Sequence, residues 1–207
     1  MRHLCLLLLL WTCVLFPAHA QDAMKIVVLG DSLSSGYGLP VGESFPDKLA
    51  QALTREGHTI LMVNEGITGH TSADGLARTQ TILTHQADIV LLALGGNDML
   101  RGIKPQHTRE NLQQIIVQLK QQGSTVVLAG MKAPLTRGIK YASTFNGLYE
   151  ELADENDLVF QPFFLDGIAR NTSLNQPDGI HPNTAGVSRM VENTLPYIEE
   201  AIEVRED

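Results

Sequence analysis

Four short polar stretches of the sequence combine the residue types that acyl transfer needs. Gly30-Asp31-Ser32 supplies a hydroxyl, and Asp178-Gly179-Ile180-His181 supplies an imidazole three residues after a carboxylate. Between them, Gly69 offers a backbone N–H with no side chain in the way, and Asn97 offers a side-chain amide. A serine becomes an effective nucleophile when a histidine lies within hydrogen-bond distance and an acidic side chain fixes the tautomer of that histidine. The four stretches therefore contain candidates for a nucleophile, its base, a base-orienting group and oxyanion donors.

Each of these stretches also has a purely structural interpretation. Ser32 could cap a helix, Gly69 could belong to an ordinary turn, and Asn97 could serve either purpose. His181 could be an isolated surface histidine or half of a metal site, although a metal site would need further ligands. Other histidines near helix ends are predicted to be solvated, namely His58, His85 and His107. No single stretch decides between these interpretations.

The pattern of apolar residues predicts the strands that would position these groups. Nearly continuous apolar runs such as IVLLAL and TVVLA are typical of parallel strands that are covered on both faces. The predicted strands are Lys25–Leu29, Thr59–Val63, Asp88–Leu94, Ser124–Ala129 and Leu158–Gln161.

Helical patterns fall between the predicted strands. Ser44 and Asp47 resemble a capping box, and residues 112–119 place apolar side chains at helical spacing. Further helices are predicted over residues 141–156 and 187–202, the second with a kink at Pro196. The alternation of strands and helices predicts one three-layer, doubly wound α/β domain over residues 21–207.

In sheets of this kind, sites form beyond the carboxyl ends of the strands. Ser32, Gly69 and Asn97 follow the first, second and third predicted strands in turn. His181 precedes the last predicted helix and is the histidine with an aspartate nearby in a Gly/Pro turn. We therefore expect all four residues to meet at one edge of the sheet.

The first twenty residues have the layout of a cleavable secretory signal peptide. Arg2 precedes an apolar stretch over residues 4–16, and Ala18-His19-Ala20 is a small-x-small cleavage site. Both cysteines, Cys5 and Cys13, lie in this leader, so the mature chain has no thiolate for catalysis or zinc binding. We therefore expect a periplasmic or secreted protein.

The charge of the chain argues against nucleic acid as a partner. The formal net charge is −8, and removal of Arg2 with the leader changes it to −9. An acidic protein gains no general attraction to phosphate backbones. No segment after the leader is apolar enough to span a bilayer. We expect a soluble monomer that acts on a small molecule, without a cofactor or metal.

The sequence resembles the GDSL, or SGNH, hydrolase superfamily. GDSLS, GITGHTS, GGND and DGIHPN match its four blocks in order, and the resemblance extends from about residue 25 to the last helix. It is greatest to the bacterial multifunctional thioesterase, arylesterase and lysophospholipase group, which LVFQPFFLDGIA and LRGIKPQ also resemble. The resemblance implies a flavodoxin-like SGNH hydrolase fold and a serine esterase whose substrate is a small-molecule acyl ester or thioester.

The resemblance also implies a role for each matching residue. Ser32 would be the nucleophile, His181 the base and Asp178 its partner. The Ser32 and Gly69 backbone N–H groups and the Asn97 side chain would form the oxyanion hole. The chain departs from close relatives after the second-block glycine, where they carry Asp and this chain has His70. The departure changes the charge beside the oxyanion hole and leaves the Gly69 backbone in place.

Two alternatives and one substrate question remain open at the level of the sequence. A carbohydrate deacetylase of the same superfamily would keep the site and change the acyl group. A flavodoxin-like binding module would use the loop after the first strand to cradle a phosphate and would carry a yellow cofactor. Residues 131–141 and Met99-Leu100 could form the walls of an acyl pocket or belong to ordinary core and loops.

Overall fold

The computed structural model describes residues 23–206 and contains a five-stranded parallel sheet. The strands lie in the order β2-β1-β3-β4-β5, and every neighbouring pair is parallel. Their bounds are β1 Met24–Gly30, β2 Ile60–Gly66, β3 Ile89–Ala93, β4 Thr125–Ala129 and β5 Val159–Gln161. This confirms the predicted α/β fold with five parallel strands. The predicted signal peptide, residues 1–20, lies outside the described residues.

Helices follow each strand, and several of them are short. Their bounds are α1 Ser32–Ser35, α2 Phe45–Arg55, α3 Ser72–Ala77, α4 Thr79–Leu83, α5 Gly96–Arg101, α6 Pro105–Gln121, α7 Ile139–Asn156 and α8 Thr184–Glu206. The capping box that opens α2 is present, because Ser44 and Asp47 each accept a hydrogen bond from the backbone N–H of the other. Helix α8 continues through Pro196. None of the helices in this part of the chain is both long and apolar enough to cross a membrane.

The sheet is buried between two layers of helices. Helices α2 and α8 contact each other in one layer, and α6 contacts α3 and α7 in the other. The runs Ile26–Leu29 and Ile89–Leu94 are completely buried. Each buried Val, Leu or Ile side chain contributes about 1.5–3 kcal/mol of transfer free energy. The near-continuous apolar runs thus reflect strands that are covered on both faces.

The strand order places the loop after β1 at the centre of the carboxyl edge. Strand β1 pairs with β2 on one side and β3 on the other, so the chain reverses its direction of winding there. Helix α1 packs directly against the end of β2. A Cβ on Gly66 would lie only 2.4 Å from the backbone nitrogen of Ser35, so this close approach needs glycine.

Candidate active site

Ser32 begins α1, one residue after Asp31. The Asp31 carboxylate accepts a hydrogen bond from the Leu33 N–H at 3.0 Å and therefore caps this short helix. The alternative in which Ser32 is the cap is wrong, because Asp31 already fills that position. The Ser32 hydroxyl is half-buried and faces a different partner.

That partner is His181, which lies 149 residues further along the chain. Its Nε2 atom is 2.9 Å from Ser32 Oγ, and its Nδ1 atom is 2.7 Å from Asp178 Oδ2. The other Asp178 oxygen accepts hydrogen bonds from the N–H groups of Ile180 and His181 at 2.9 and 3.0 Å. The backbone and side-chain hydrogen bonds from His181, with that from Ile180, lower the pKa of Asp178 to about 2. Asp178 is therefore an anion at neutral pH.

Two residues that the sequence analysis did not single out hold His181 in place. The Tyr37 ring lies 4.6 Å from the imidazole, measured between centroids. The Gln176 N–H donates to the His181 carbonyl at 2.7 Å, and the Gln176 side-chain amide donates to the carbonyls of Tyr37 and Pro182 at 2.8 and 3.0 Å. Gln176 thus joins the histidine loop to the loop that follows Ser32.

The three predicted oxyanion donors lie around the same opening. Ser32, Gly69 and Asn97 line one cavity with His181, whereas Asp178 lies behind the imidazole. Gly69 has a φ of +83°, a left-handed conformation that favours glycine. Within residues 23–206, neither the Ser32 N–H nor the Gly69 N–H donates a hydrogen bond to another residue. Both are therefore available to a ligand.

The Asn97 side chain already uses both of its N–H bonds. Its amide nitrogen donates to Asp31 Oδ2 and to the His70 carbonyl, each at 3.0 Å. The guanidinium of Arg101, one helical turn later, donates to the Gly69 carbonyl at 2.7 Å. Helix α5 thus fixes the loop of Gly69 and His70 through two side chains. His70 contributes its carbonyl oxygen to this arrangement.

Asp31 is a buried carboxyl group beside the candidate nucleophile. Burial raises its pKa to about 6, against the opposing effects of the Leu33 N–H, His181 and Asn97. The side chain is only 2 % exposed. The contact between Asp31 and Asn97 could not be predicted, because it joins residues that are 66 positions apart in the chain.

We expect Asp31→Asn to remove a pH-dependent loss of stability. The pKa of Asp31 in the folded protein is raised above the unfolded value of 3.8. The protonated carboxyl group therefore makes its full contribution to the free energy of unfolding below pH 3.8, and this contribution is lost as the pH rises through 6. The wild type should therefore lose about 2 kcal/mol relative to the variant between pH 4 and pH 8. Urea denaturation of both proteins across this range measures the difference. A difference that stays constant with pH would contradict the assignment.

The cavity beside Ser32 has a volume of about 630 Å³ and mostly apolar walls. Its apolar lining includes Leu33, Met99, Leu100, Met131, Ala133, Pro134, Phe163, Leu165, Ala169 and Ile180. Of the predicted wall residues 131–141, the first four line the cavity, whereas the rest form a short 3₁₀ turn and the start of α7. Phe163 and Leu165 follow β5 at the same sheet edge. The sequence did not predict that these two residues line the cavity.

The prediction that His85 is solvated is wrong. Its Nε2 atom lies 2.7 Å from the Glu65 carboxylate, and the ring is half-buried. Glu65 also pairs with Arg78 at 3.0 Å, and Arg78 donates to the carbonyl of Gly30 at 3.1 Å. This cluster ties the ends of β1 and β2 together just beneath Ser32. His107 is exposed and His58 is half-buried.

The sequence and fold match known esterases over most of the chain. The GDSL-like lipase/acylhydrolase family model matches residues 28–189. The arylesterase of Vibrio mimicus is 37% identical over 176 residues, which are 84% of this chain and 87% of that protein. "Thioesterase 1/protease 1/lysophospholipase L1" of Escherichia coli K12 is 37% identical over 171 residues, 82% of this chain and 81% of that one.

Solved structures agree with the sequence matches. The crystal structure of TesA superposes with a TM-score of 0.82 at 34% identity, covering 86% of this chain and 99% of that chain. The order of the sequence blocks, the parallel sheet and the contact between Ser32 and His181 are consistent with these matches. The chain thus belongs to the GDSL-like lipase/acylhydrolase family and is a carboxylic ester hydrolase.

Proposed function

We propose that the protein is a serine esterase that hydrolyses acyl esters and thioesters through Ser32, His181 and Asp178. The observation that carries this proposal is the 2.9 Å contact between Ser32 Oγ and His181 Nε2. Anionic Asp178 accepts a hydrogen bond from His181 Nδ1–H, which keeps the proton on Nδ1 and leaves Nε2 unprotonated and facing the hydroxyl. The arrangement is that of a nucleophile, its base and the group that orients the base.

The reaction then proceeds in two half-reactions. Ser32 Oγ forms a bond to the carbonyl carbon while His181 Nε2 takes the hydroxyl proton. The oxyanion accepts hydrogen bonds from the N–H groups of Ser32 and Gly69 and from the Asn97 amide. The C–O or C–S bond breaks, and His181 returns the proton to the alcohol or thiol. Water, deprotonated by His181, attacks the acyl-serine; the bond between the carbonyl carbon and Ser32 Oγ breaks, His181 returns the proton to Oγ, and the acid is released.

We expect Asn97→Ala to lower kcat by roughly 10²- to 10³-fold with a small change in KM. The loss falls on kcat because the amide exchanges a bond to Asp31 or to the His70 carbonyl for the oxyanion as charge develops. Steady-state kinetics on p-nitrophenyl butyrate measures it. Asn193→Ala is the matched control, because the Asn193 amide donates to the Asp166 carbonyl and Asn193 does not line the cavity beside Ser32. A loss of less than tenfold would remove Asn97 from the oxyanion hole.

The shape of the cavity supports an acyl chain as the group that enters it. Apolar walls of Met, Leu and Phe suit a hydrocarbon chain, and about 630 Å³ is far more than an acetyl group needs. This favours longer acyl esters over the carbohydrate deacetylase alternative. The phosphate-cradle alternative has less support, because the buried Asp31 carboxylate occupies the loop after β1 and α1 has only four residues.

The location of the protein determines which substrates it meets. We propose that residues 1–20 direct export, so that the monomer spanning residues 21–207 acts in the periplasm or outside the cell. Lysophospholipids and aryl or alkyl esters are reachable there, whereas acyl-CoA is an intracellular metabolite. Hydrolysis of thioesters is then a capacity of the site rather than its main use. The printed names of the relatives, arylesterase and thioesterase/lysophospholipase, include both chemistries.

Covalent labelling tests the nucleophile directly. A fluorophosphonate should modify one peptide, the one that contains Ser32, and should abolish hydrolysis of p-nitrophenyl esters from acetate to palmitate. Palmitoyl-CoA and a lysophospholipid, assayed beside that series, rank the substrate classes. An adduct on another residue, or full activity of protein labelled at Ser32, would overturn the proposal.

A further inference from the structure

Exposed large apolar side chains are concentrated around the mouth of the cavity beside Ser32. The described residues, 23–206, expose ten such side chains, and six of them lie at this mouth. We define these six as the apolar collar: Tyr37, Ile67, Leu100, Leu135, Ile139 and Ile180. Three of them line the cavity themselves, and the other three lie close in the chain to Thr68 or Pro134, which also line it. Apolar side chains that are exposed singly need no explanation, but a group of them around one opening marks an interaction site.

The most exposed members of the apolar collar lie in a segment that is held against the end of α5. Leu135 and Ile139 are 73 % and 77 % exposed, and every residue from 134 to 140 is exposed. Arg137, which lies between them, donates a hydrogen bond to the Leu100 carbonyl at 2.8 Å. The segment therefore has a fixed position beside the cavity mouth, although its apolar side chains stay outside the core.

Cations accompany the apolar collar in the two segments that carry its most exposed members. Residues 99–109 and 131–149 each contain three Lys or Arg residues and no Asp or Glu, although the net charge of the chain is −8. Lys104, Arg137 and Lys140 are exposed and form no ion pair within residues 23–206. An acidic chain thus presents a locally basic surface where it is also most apolar.

The exposed carboxylates at this edge of the sheet each have a neighbouring group of their own. These carboxylates are Asp74, Asp166 and Asp178. The first has Arg101 nearby, the second shares a small pocket with Lys132, and the third accepts a hydrogen bond from His181. The three cations that form no ion pair therefore leave this edge with an excess of positive charge.

The composition of this surface fits a lipid bilayer better than a protein partner. Six side chains are too few for a stable protein interface, which buries about 800 Å² on each partner. Exposed aliphatic side chains beside Lys and Arg are typical of surfaces that lie in the interfacial layer of a membrane. The apolar collar is also continuous with the apolar walls of the cavity. An acyl chain could therefore pass from a lipid layer to Ser32 without crossing water.

We propose that the apolar collar docks on the surface of an anionic lipid bilayer. This inference rests on the proposed esterase function and adds to it the surface on which the enzyme works. Leu135 and Ile139 enter the headgroup layer, while Lys104, Arg137 and Lys140 lie among the anionic headgroups. The docking is peripheral and reversible, and salt weakens it because exposed charges are screened.

Flotation of the Ser32→Ala protein with vesicles tests the docking without hydrolysis of the lipid. The vesicles are phosphatidylcholine alone or an equimolar mixture with phosphatidylglycerol, and we expect stronger binding to the mixture. Adding Leu135→Ser/Ile139→Ser should lower the partition coefficient on both vesicles by roughly tenfold or more. Adding Lys104→Gln/Lys140→Gln instead should lower it on the mixed vesicles alone, by roughly two- to fivefold for each charge.

Val204→Ser is the matched control for the apolar substitutions and should leave flotation unchanged. Val204 is 57 % exposed near the end of α8. The adjacent Arg205 pairs with Asp88, which precedes β3, so Val204 lies at the amino edge of the sheet, away from the cavity mouth. All variants have the same N terminus, so any contribution of residues 1–20 to binding is equal in each of them.

Activity on a water-soluble ester separates the docking from the chemistry. Leu135→Ser/Ile139→Ser in a protein that keeps Ser32 should leave kcat/KM for p-nitrophenyl butyrate unchanged, because neither residue lines the cavity. Flotation with neither vesicle, or flotation that this double change does not weaken, would overturn the docking surface and leave the esterase intact. Equal binding to the two vesicles would overturn the role of the cations.

Two further results have a different meaning. A dimer in sedimentation velocity that Leu135→Ser/Ile139→Ser dissociates would assign the apolar collar to a second copy of this chain and overturn the lipid surface as its partner. Hydrolysis of no ester, with Ser32 unreactive toward fluorophosphonate, would overturn the proposed function whether or not the protein floats with vesicles.

Discussion

Ser32→Ala is expected to lower kcat for p-nitrophenyl esters by roughly 10⁴- to 10⁶-fold. The substitution removes the proposed nucleophilic oxygen, and no other hydroxyl lies within hydrogen-bond distance of His181 in residues 23–206. The Ser32 N–H and the Asp31 cap remain, so α1 keeps its start. What activity survives should come from binding and the oxyanion donors acting on water.

A control variant and a stability measurement distinguish a loss of catalytic activity from a loss of folded protein. Ser188→Ala removes a serine hydroxyl that bonds only to the Thr184 carbonyl on the exposed side of α8, so full activity is expected. The urea midpoint of Ser32→Ala should match that of the wild type. More than a few per cent of wild-type turnover in a folded Ser32→Ala protein would mean that another group attacks the ester.

The strands and the four polar stretches were predictable because their signals are local. A strand that is covered on both faces must be apolar throughout, which the runs Ile89–Leu94 and Val126–Ala129 show. Parallel strands also bring their carboxyl ends to one edge, so residues that follow β1, β2 and β3 meet there. The placement of Ser32, Gly69 and Asn97 thus follows from topology alone.

The supporting contacts were not predictable, because they join segments that are far apart in the chain. Gln176 reaches the Tyr37 carbonyl across 139 residues, and Arg78 reaches Gly30 across 48. Neither residue has a spacing or a neighbour that marks it. His85 likewise has the sequence context of a solvated helix end, and only the fold reveals Glu65 beside it. Such tertiary contacts override local patterns wherever a polar group is half-buried.

Asp178→Asn is expected to lower kcat by roughly 10³- to 10⁴-fold while leaving the histidine loop folded. Asparagine keeps one oxygen, which can still accept from the N–H groups of Ile180 and His181. Its amide nitrogen replaces the oxygen that faces His181 Nδ1 and donates a hydrogen bond to Nδ1 instead. The imidazole then carries its proton on Nε2, where it cannot accept one from Ser32.

The wild-type charge state is the same throughout the pH range in which this variant is assayed. Because the pKa of wild-type Asp178 is about 2, the wild type carries the anion throughout the range of the assay, so titration of Asp178 itself adds no pH dependence to the deficit between pH 5 and pH 9. The stability that the anion adds is present above the unfolded pKa of 3.8 and is lost as the pH falls through 2. Asp154→Asn on the exposed face of α7 is the matched control and should retain full kcat. If Asp178→Asn stays within tenfold of the wild type, His181 reaches its active tautomer without Asp178, and the base is oriented by Gln176 and Tyr37 instead.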